Sequence, residues 1–251
     1  MACRGSGVRV PSDPPKPLVV SEFAYYQGFF RWGSSFLVLC RYSSGMETRT
    51  ADDGDVDAIT ATIALAFRAD PVWGPALASP DGDTGHLAAF WRFFVEGAIP
   101  HGRVFFQDGP DGEAATVAVW LPPGVDELTD AQEAAVDALM ERTLSPDRFA
   151  AYQRLWELFE SSHPHAEPHM YLSLLATNPG HRGRGIAQRL LAENLKRFDA
   201  QGVPAYLEST NPANDHRYRR AGFRPIGGFR SVIDGAAVTT MWRDVAATPG
   251  A

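Results

Sequence analysis

Residues 170–198 read MYLSLLATNPGHRGRGIAQRLLAENLKRF, and the reading of this stretch decides the fold. The apolar run from Tyr171 to Ala176 predicts a strand, and Asn178-Pro179-Gly180 predicts the turn that ends it. Farther on, Ile186, Leu190, Leu191, Leu195 and Phe198 share one face at helical spacing. They predict a helix closed by Gly202, with Pro204 just past it. On that helix Glu193 stands where it can pair with Lys196 and Arg197 across a turn.

Between strand and helix lies a basic loop punctuated by glycines. A helix's first turn has unpaired N–H donors and a partial positive charge, so this arrangement suits an anion. Gly183 and Gly185 let the backbone come close to a ligand, and Arg182 and Arg184 add charge. A phosphate-bearing ligand is therefore expected. A P-loop would need Lys and then Ser or Thr after its last glycine, but Ile186 and Ala187 follow Gly185. A dinucleotide fingerprint would need a third glycine at position 188, which is Gln188.

The run Arg182-Gly183-Arg184-Gly185-Ile186-Ala187 resembles the Gln/Arg-x-x-Gly-x-Gly/Ala signature of the GCN5-related N-acetyltransferase (GNAT) superfamily. There it wraps the pyrophosphate of acetyl-CoA. The resemblance continues in order through a strand at 205–209, then Asn211 and Asn214, then Tyr218-Arg219-Arg220-Ala221-Gly222-Phe223, which is similar to the superfamily's Tyr-x-x-x-Gly-Phe. It spans roughly residues 46–245. Residues 205–209 and 218–223, the Val117-Ala118-Val119-Trp120 strand and the Gly202-Val203-Pro204 turn are also similar to puromycin N-acetyltransferase-like small-molecule acetyltransferases. The acceptor-side segments match that group poorly, and Ala187 replaces its last loop glycine.

The chain has 251 residues, enough for a sizeable core. A net charge of -7 argues against non-specific nucleic-acid binding, which leans on a basic surface. Cys3 and Cys40 both lie in the first 45 residues, so the body holds no disulfide or cysteine-based metal site, as suits a reducing cytoplasm. Residues 1–45 are set apart by a net positive charge and by Pro11, Pro14, Pro15 and Pro17; they read as an extension inessential to the fold, either a disordered tail, an interaction arm or residues upstream of a start near Met46. Their apolar run is interrupted by Glu22 and Arg31, so neither a signal peptide nor a membrane span is expected. The expected layout is an extension at 1–45, an acetyltransferase domain at 46–245 and a tail at 246–251.

Along the domain, Val56, Ile59, Ile63 and Phe67 predict a first helix with Asp55 as N-cap. Residues 70–75 break it. A second helix carries Leu87, Phe90, Trp91 and Phe94 and is closed by Gly97 and Pro100. A hairpin is expected over 103–121 around Gly109-Pro110-Asp111-Gly112. Thr129 and Gln132 form a capping box for a helix with Val136, Leu139 and Met140 inward. Ser145-Pro146 starts another, with Phe149, Tyr152, Trp156 and Phe159 on one stripe. A short helix capped by Asn214 carries Tyr218, and two strands close the domain around 228–233 and 237–243. The fold class is α/β: a mixed, mostly antiparallel sheet packed by helices. The resemblance adds a splay between the two central strands.

What the resemblance implies for the site is specific. The pantetheine arm of acetyl-CoA, the acyl-donor cosubstrate, would bond to backbone groups near Leu174, Leu175, Ala176 and Thr177, and the loop 182–187 would hold its pyrophosphate. Tyr218 would protonate the leaving thiolate. Glu208, beside the splay, is a candidate base, with a structural salt bridge as the equal alternative. Asn211 and Asn214 are cofactor or loop-capping positions. Asp70, Trp73, Trp156 and His169 are candidate substrate contacts, each with packing or loop structure as the plainer reading. The patch His163-Pro164-His165-Ala166-Glu167-Pro168-His169 is held extended by its prolines, and no metal is expected there. The expected activity is acetyl transfer to a primary amine of a small molecule, an antibiotic or metabolite, by a cytoplasmic monomer or homodimer without nucleic-acid or membrane partners. Acetylation of a protein amine and non-catalytic acyl-CoA sensing are the alternatives.

Overall fold

A computed structural model describes residues 47–246. The expectations for residues 1–45, including both cysteines, and for the tail after 246 lie outside the described residues. The chain forms one seven-stranded sheet of order β1-β2-β3-β4-β5-β7-β6. Its strands are β1 (Thr48–Thr50), β2 (Val104–Asp108), β3 (Ala114–Leu121), β4 (Met170–Thr177), β5 (Ala205–Ser209), β6 (Arg224–Arg230) and β7 (Ala237–Arg243). Every neighbouring pair is antiparallel except β4 and β5, which run parallel.

The helices are α1 (Val56–Phe67), α2 (Trp73–Ala76), α3 (Gly85–Ala98), α4 (Asp130–Thr143), α5 (Pro146–Ser162), α6 (Ile186–Asp199) and α7 (Asp215–Arg220). One core layer joins Ile59, Ile63, Phe90, Trp91, Phe94 and Leu155 to the sheet residues Val117, Val119, Leu174 and Ala176. The other packs Leu190, Leu191, Leu195 and Phe198 of α6 against Ala118, Trp120, Met170, Leu172 and Leu207. Trp120 Nε1 donates to Asn194 Oδ1 at 2.9 Å across this second layer, so the buried indole nitrogen stays satisfied.

Several local expectations change in the structure. Residues 70–75, read as a break, run into the single turn of α2, Trp73–Ala76. Asp55 occupies the cap position of α1 but makes no capping bond. Its carboxylate instead accepts from Arg49 at 2.6 and 2.8 Å and from the Asp52 N–H at 3.0 Å, leaving Asp52 to form the capping box one turn earlier. Glu193 forms no ion pair among the described residues. Solvent-exposed pairs of this kind contribute little, and Arg197 lies over the Phe105 ring, 5.0 Å from its centre. The strand expected over 228–233 runs instead over Arg224–Arg230, because its partner residues on β7 extend back to Trp242. The Thr129–Gln132 capping box forms as read, reciprocally, with both bonds present.

Candidate active site

β4 alternates buried and half-buried residues along its whole length, yet its two halves face opposite layers. Its register with β3 runs Val119↔Leu174 and then Trp120↔Leu172, so Ser173 is an extra residue, a β-bulge. Met170 and Leu172 therefore pack toward α6, while Leu174 and Ala176 pack toward α1 and α3. Beside the bulge β4 leaves β5: their pairing covers only Met170↔Ala205, Tyr171↔Tyr206 and Leu172↔Leu207. Beyond Leu172 the two parallel strands diverge into a gap.

Backbone phase decides which β4 groups face the gap. The Asn178 N–H bonds to the Ala115 carbonyl at 3.0 Å, so in an antiparallel ladder Ala176 is the next residue bonded to β3. Leu175 and Thr177 alternate out of that ladder and turn their peptide groups toward the gap. The Ala176 carbonyl accepts from Thr116 Oγ1 at 2.8 Å and so belongs to the β3 side. Of the four β4 positions expected to hold an extended ligand through their backbone, Leu175 and Thr177 point the right way, while Leu174 and Ala176 face β3.

At the open end of the gap the chain turns through Pro179–His181, held by Asn178 Oδ1 accepting from the Gly180 N–H at 3.0 Å. Gly183 and Gly185 both adopt left-handed backbone, at φ 79° and 69°, a conformation that strongly favours glycine. Gly185 is the N-cap of α6 and offers no side-chain oxygen, so the first-turn N–H groups beginning at Ile186 and Ala187 keep their donors free for a ligand. Arg182, Gly183, Arg184 and Gly185 are all exposed. Neither arginine pairs with a carboxylate among the described residues: Arg182 reaches the Ala66 carbonyl at 3.4 Å, and Arg184 the Gly180 carbonyl at 3.3 Å. Two free cations over an uncapped helix terminus suit a pyrophosphate.

On the β5 side, Tyr218 of α7 lines the cleft with Asn211 and Asn214. Its ring meets Phe223 edge-on at 6.2 Å. Burial, reinforced by the nearby Asp70 and Asp215 carboxylates, pushes its hydroxyl pKa upward and keeps it protonated. Asp215, which the sequence reading passed over, fixes this helix. It accepts from Ser209 Oγ of β5 at 2.6 Å and from Thr239 Oγ1 of β7 at 3.2 Å. Asn211 caps the preceding turn through Ala213 N–H at 3.1 Å. Asn214 stands at the start of α7 without capping it, its Oδ1 accepting from Arg217 at 2.9 Å.

Glu208 lies one residue beyond the last β4–β5 pair, its side chain 4% exposed and facing the cleft. His163 Nδ1 approaches its carboxylate at 3.6 Å. Behind His163, His169 Nε2 lies 3.1 Å from His163 Nε2, and His169 Nδ1 bonds to the Glu167 carbonyl at 2.7 Å. His169 itself is buried beside Tyr206 and Trp242 and does not line the cleft. Burial lowers its pKa. The histidine patch thus stands behind Glu208.

A second carboxylate faces the same cleft. Glu127, on the loop between β3 and α4, accepts a hydrogen bond from Ser173 Oγ at the bulge. Its pKa is pushed up to about 7, chiefly by burial, with the Glu208 charge adding to it and the Ser173 bond opposing it. No local signal marked Glu127, because only the bulge and the approach of the loop to α3 bring it inward.

The remaining wall is aromatic. Phe67, Trp73, Trp91, Phe94, Trp156 and Phe159 line the cleft, whose accessible volume is about 70 Å³. Trp73 stacks on Phe159 at 5.3 Å and Phe94 on Trp156 at 5.7 Å. Trp73 is 6% exposed and serves as packing that also forms a wall; Trp156 is half-buried. Asp70 lines the cleft too, but its carboxylate is occupied by Val72 N–H, Trp73 N–H and Thr210 Oγ1 at 2.9, 3.0 and 2.7 Å. It starts α2 and ties that helix to the end of β5. Among the described residues no cluster of three His, Cys, Asp or Glu could hold a metal ion, and no helix is long and apolar enough to cross a membrane.

Comparison with known proteins bears on the fold. Residues 118–223 match the model of the acetyltransferase (GNAT) family. Over 73 residues the chain is 33% identical to acetyltransferase Atu2258 of Agrobacterium fabrum, a match covering 29% of this chain and 53% of that protein. The chain thus spans about half the length of that curated relative. Among solved structures, the fold is similar to arylalkylamine N-acetyltransferase 2 of Aedes aegypti, with a TM-score of 0.59 at 13% identity over 80% of this chain and 99% of that one. It is similar also to the histone acetyltransferase HPA2 and related acetyltransferase of Corynebacterium glutamicum, with a TM-score of 0.57 at 24% identity over 82% and 99%. The polyamine N-acetyltransferase of Drosophila melanogaster gives 0.55 at 17% identity over 80% and 100%. The sheet and its flanking helices are those of the GNAT fold.

Proposed function

We propose that this protein is an acetyl-CoA-dependent N-acetyltransferase acting on the primary amine of a small molecule. The observation that carries this reading is the divergence of β4 from β5 just beyond Leu172↔Leu207. It opens a slot with outward backbone groups, a glycine-rich basic loop at one end, and Glu208 and Tyr218 beside it.

When bound, acetyl-CoA supplies the acetyl thioester. The N–H groups of 185–187 and the Arg182 and Arg184 side chains hold its phosphates, and the peptide groups of Leu175 and Thr177 align its arm in the gap. An outward N–H there polarises the thioester carbonyl. Glu208 takes one proton from the ammonium, leaving a neutral amine whose lone pair forms the C–N bond; the nitrogen, cationic once bonded, releases a second proton to solvent as the C–S bond breaks. Tyr218 gives its proton to the departing sulfur and is reprotonated from solvent. Holding both reactants against one strand edge removes much of the entropy cost of their encounter.

The aromatic wall and the limited volume favour a small acceptor over a peptide. The similarity of residues 205–209 and 218–223 to puromycin N-acetyltransferase-like enzymes adds aminonucleosides to the first panel of amines. The deciding experiment is calorimetric titration of the purified chain with acetyl-CoA, followed by thiol release with that panel and mass detection of the product. Binding with transfer to a small amine is the expected result. Binding with no transfer to any amine would favour the acyl-CoA sensor, and absence of binding would overturn the reading of residues 182–187.

A further inference from the structure

The acceptor end of the cleft has a charge pattern that bears on the substrate. Glu127 and Glu208 both face it, whereas Asp70 is consumed by three hydrogen bonds. Among the described residues lining the cleft, none is Lys or Arg. His163 Nδ1 lies 3.6 Å from the Glu208 carboxylate, and Ser173 Oγ donates to that of Glu127. A substrate carrying its own carboxylate or phosphate would bury an anion next to Glu127 and Glu208 with no cation to meet it, a costly arrangement. An ammonium meets two acceptors. The rest of the cleft offers the faces and edges of Trp73, Trp91, Phe94, Trp156 and Phe159, which suit an apolar or aromatic body.

We propose that the acceptor is an amine with an apolar or aromatic body and no anionic group, its ammonium seated between Glu127 and Glu208, with Glu127 as the residue that rejects amino acids. This rests on the acetyltransferase reading above. The two carboxylates divide the work. Glu208, at the strand junction, removes the proton. Glu127, anchored by Ser173 and ionised above about pH 7, there holds the amine while it is charged and repels a substrate carboxylate.

The test uses matched pairs differing only in an anionic group: 2-phenylethylamine against phenylalanine, tryptamine against tryptophan, and hexylamine against 6-aminohexanoate. Each is assayed by thiol release with the full chain and with Glu127→Gln, a substitution that can still accept the Ser173 hydrogen bond. The expected result is a kcat/KM at least about 100-fold higher for the amine of each pair, matching two or more tenfold steps of unfavourable charge burial. In Glu127→Gln the amine KM rises about tenfold, the acetyl-CoA KM is unchanged and the discrimination against amino acids shrinks. Quenching of tryptophan fluorescence by 2-phenylethylamine, without acetyl-CoA, reads binding independently of turnover. Equal use of amines and amino acids, an unchanged amine KM in Glu127→Gln, or a preference for spermidine over 2-phenylethylamine would each overturn the proposal. If acetyl-CoA binds but 2-phenylethylamine neither quenches nor is acetylated, the substrate proposal falls and the acetyl-CoA site stands. If acetyl-CoA fails to bind, the underlying reading falls instead.

Discussion

Gly97, inside α3, touches the backbone of Glu127: a Cβ placed on Gly97 would lie 2.6 Å from the Glu127 carbonyl oxygen. The contact is closer than real Cβ atoms allow, so the missing side chain is what lets the β3–α4 loop lie on α3 and carry the Glu127 carboxylate into the cleft.

Gly97→Ala should therefore reverse the ordinary effect of such a change in a helix. Alanine is favoured over glycine there by about 1 kcal/mol, but here the methyl must displace a loop backbone, and overpacking of this kind costs about 1–3 kcal/mol. The expected outcome in urea unfolding is a net loss of stability. It should be accompanied by a higher KM for the amine and an unchanged Kd for acetyl-CoA.

Tyr218→Phe keeps the ring against Phe223 and removes only the hydroxyl. A positioned acid contributes about 10²–10⁴-fold, so kcat should fall at least about 100-fold while calorimetry gives the same acetyl-CoA affinity. Unchanged turnover would show that another group or water supplies the proton.

Glu127 imposes a pH dependence on stability. Its pKa is about 7 in the folded protein against 4.5 ordinarily, so between these values the folded state binds the extra proton. Unfolding thus becomes easier as pH rises through this window, by about 3 kcal/mol in all. Glu127→Gln cannot lose a proton, so its advantage in melting temperature over the native chain should grow from about pH 4.5 to 7 and then level off.

Asp199 has the opposite sign. Its carboxylate accepts from Arg243 Nη1 and Nη2, both at 2.7 Å, and these bonds hold its pKa below the usual carboxylate value. Arg243 Nε also donates to the Ala221 carbonyl at 3.0 Å, so one guanidinium joins the end of α6 to the Tyr218 helix. The stabilisation is complete at neutral pH and is lost as pH falls below the ordinary aspartate range. Asp199→Asn should cost about 1–3 kcal/mol at pH 7, since it strands a nearly buried arginine. The gap in melting temperature should narrow as pH falls below the ordinary aspartate range.

What the sequence determined by itself was local. The apolar run at 171–176, the left-handed glycines at 183 and 185, the one-sided α6 and the reciprocal cap of Thr129 and Gln132 are written in neighbouring residues. Spacing and backbone sterics act over a few positions, so the strand, the basic loop and the following helix were legible, and the resemblance they carried gave the GNAT fold with its splay. Tertiary structure alone decided what depends on distant partners. The bulge at Ser173 is visible only against β3, and it sends the two halves of β4 to opposite layers. Gly97 read as a helix end, yet its role is to admit a loop thirty residues away. Glu127 had no motif and became a cleft residue through that contact, whereas His169 had a conspicuous setting and was turned inward against Tyr206 and Trp242. Asp70, equally plausible as a substrate contact, was taken up by three hydrogen bonds of the fold. Side-chain destinations of this kind follow from packing among elements far apart in the chain, and no pattern within one element encodes them.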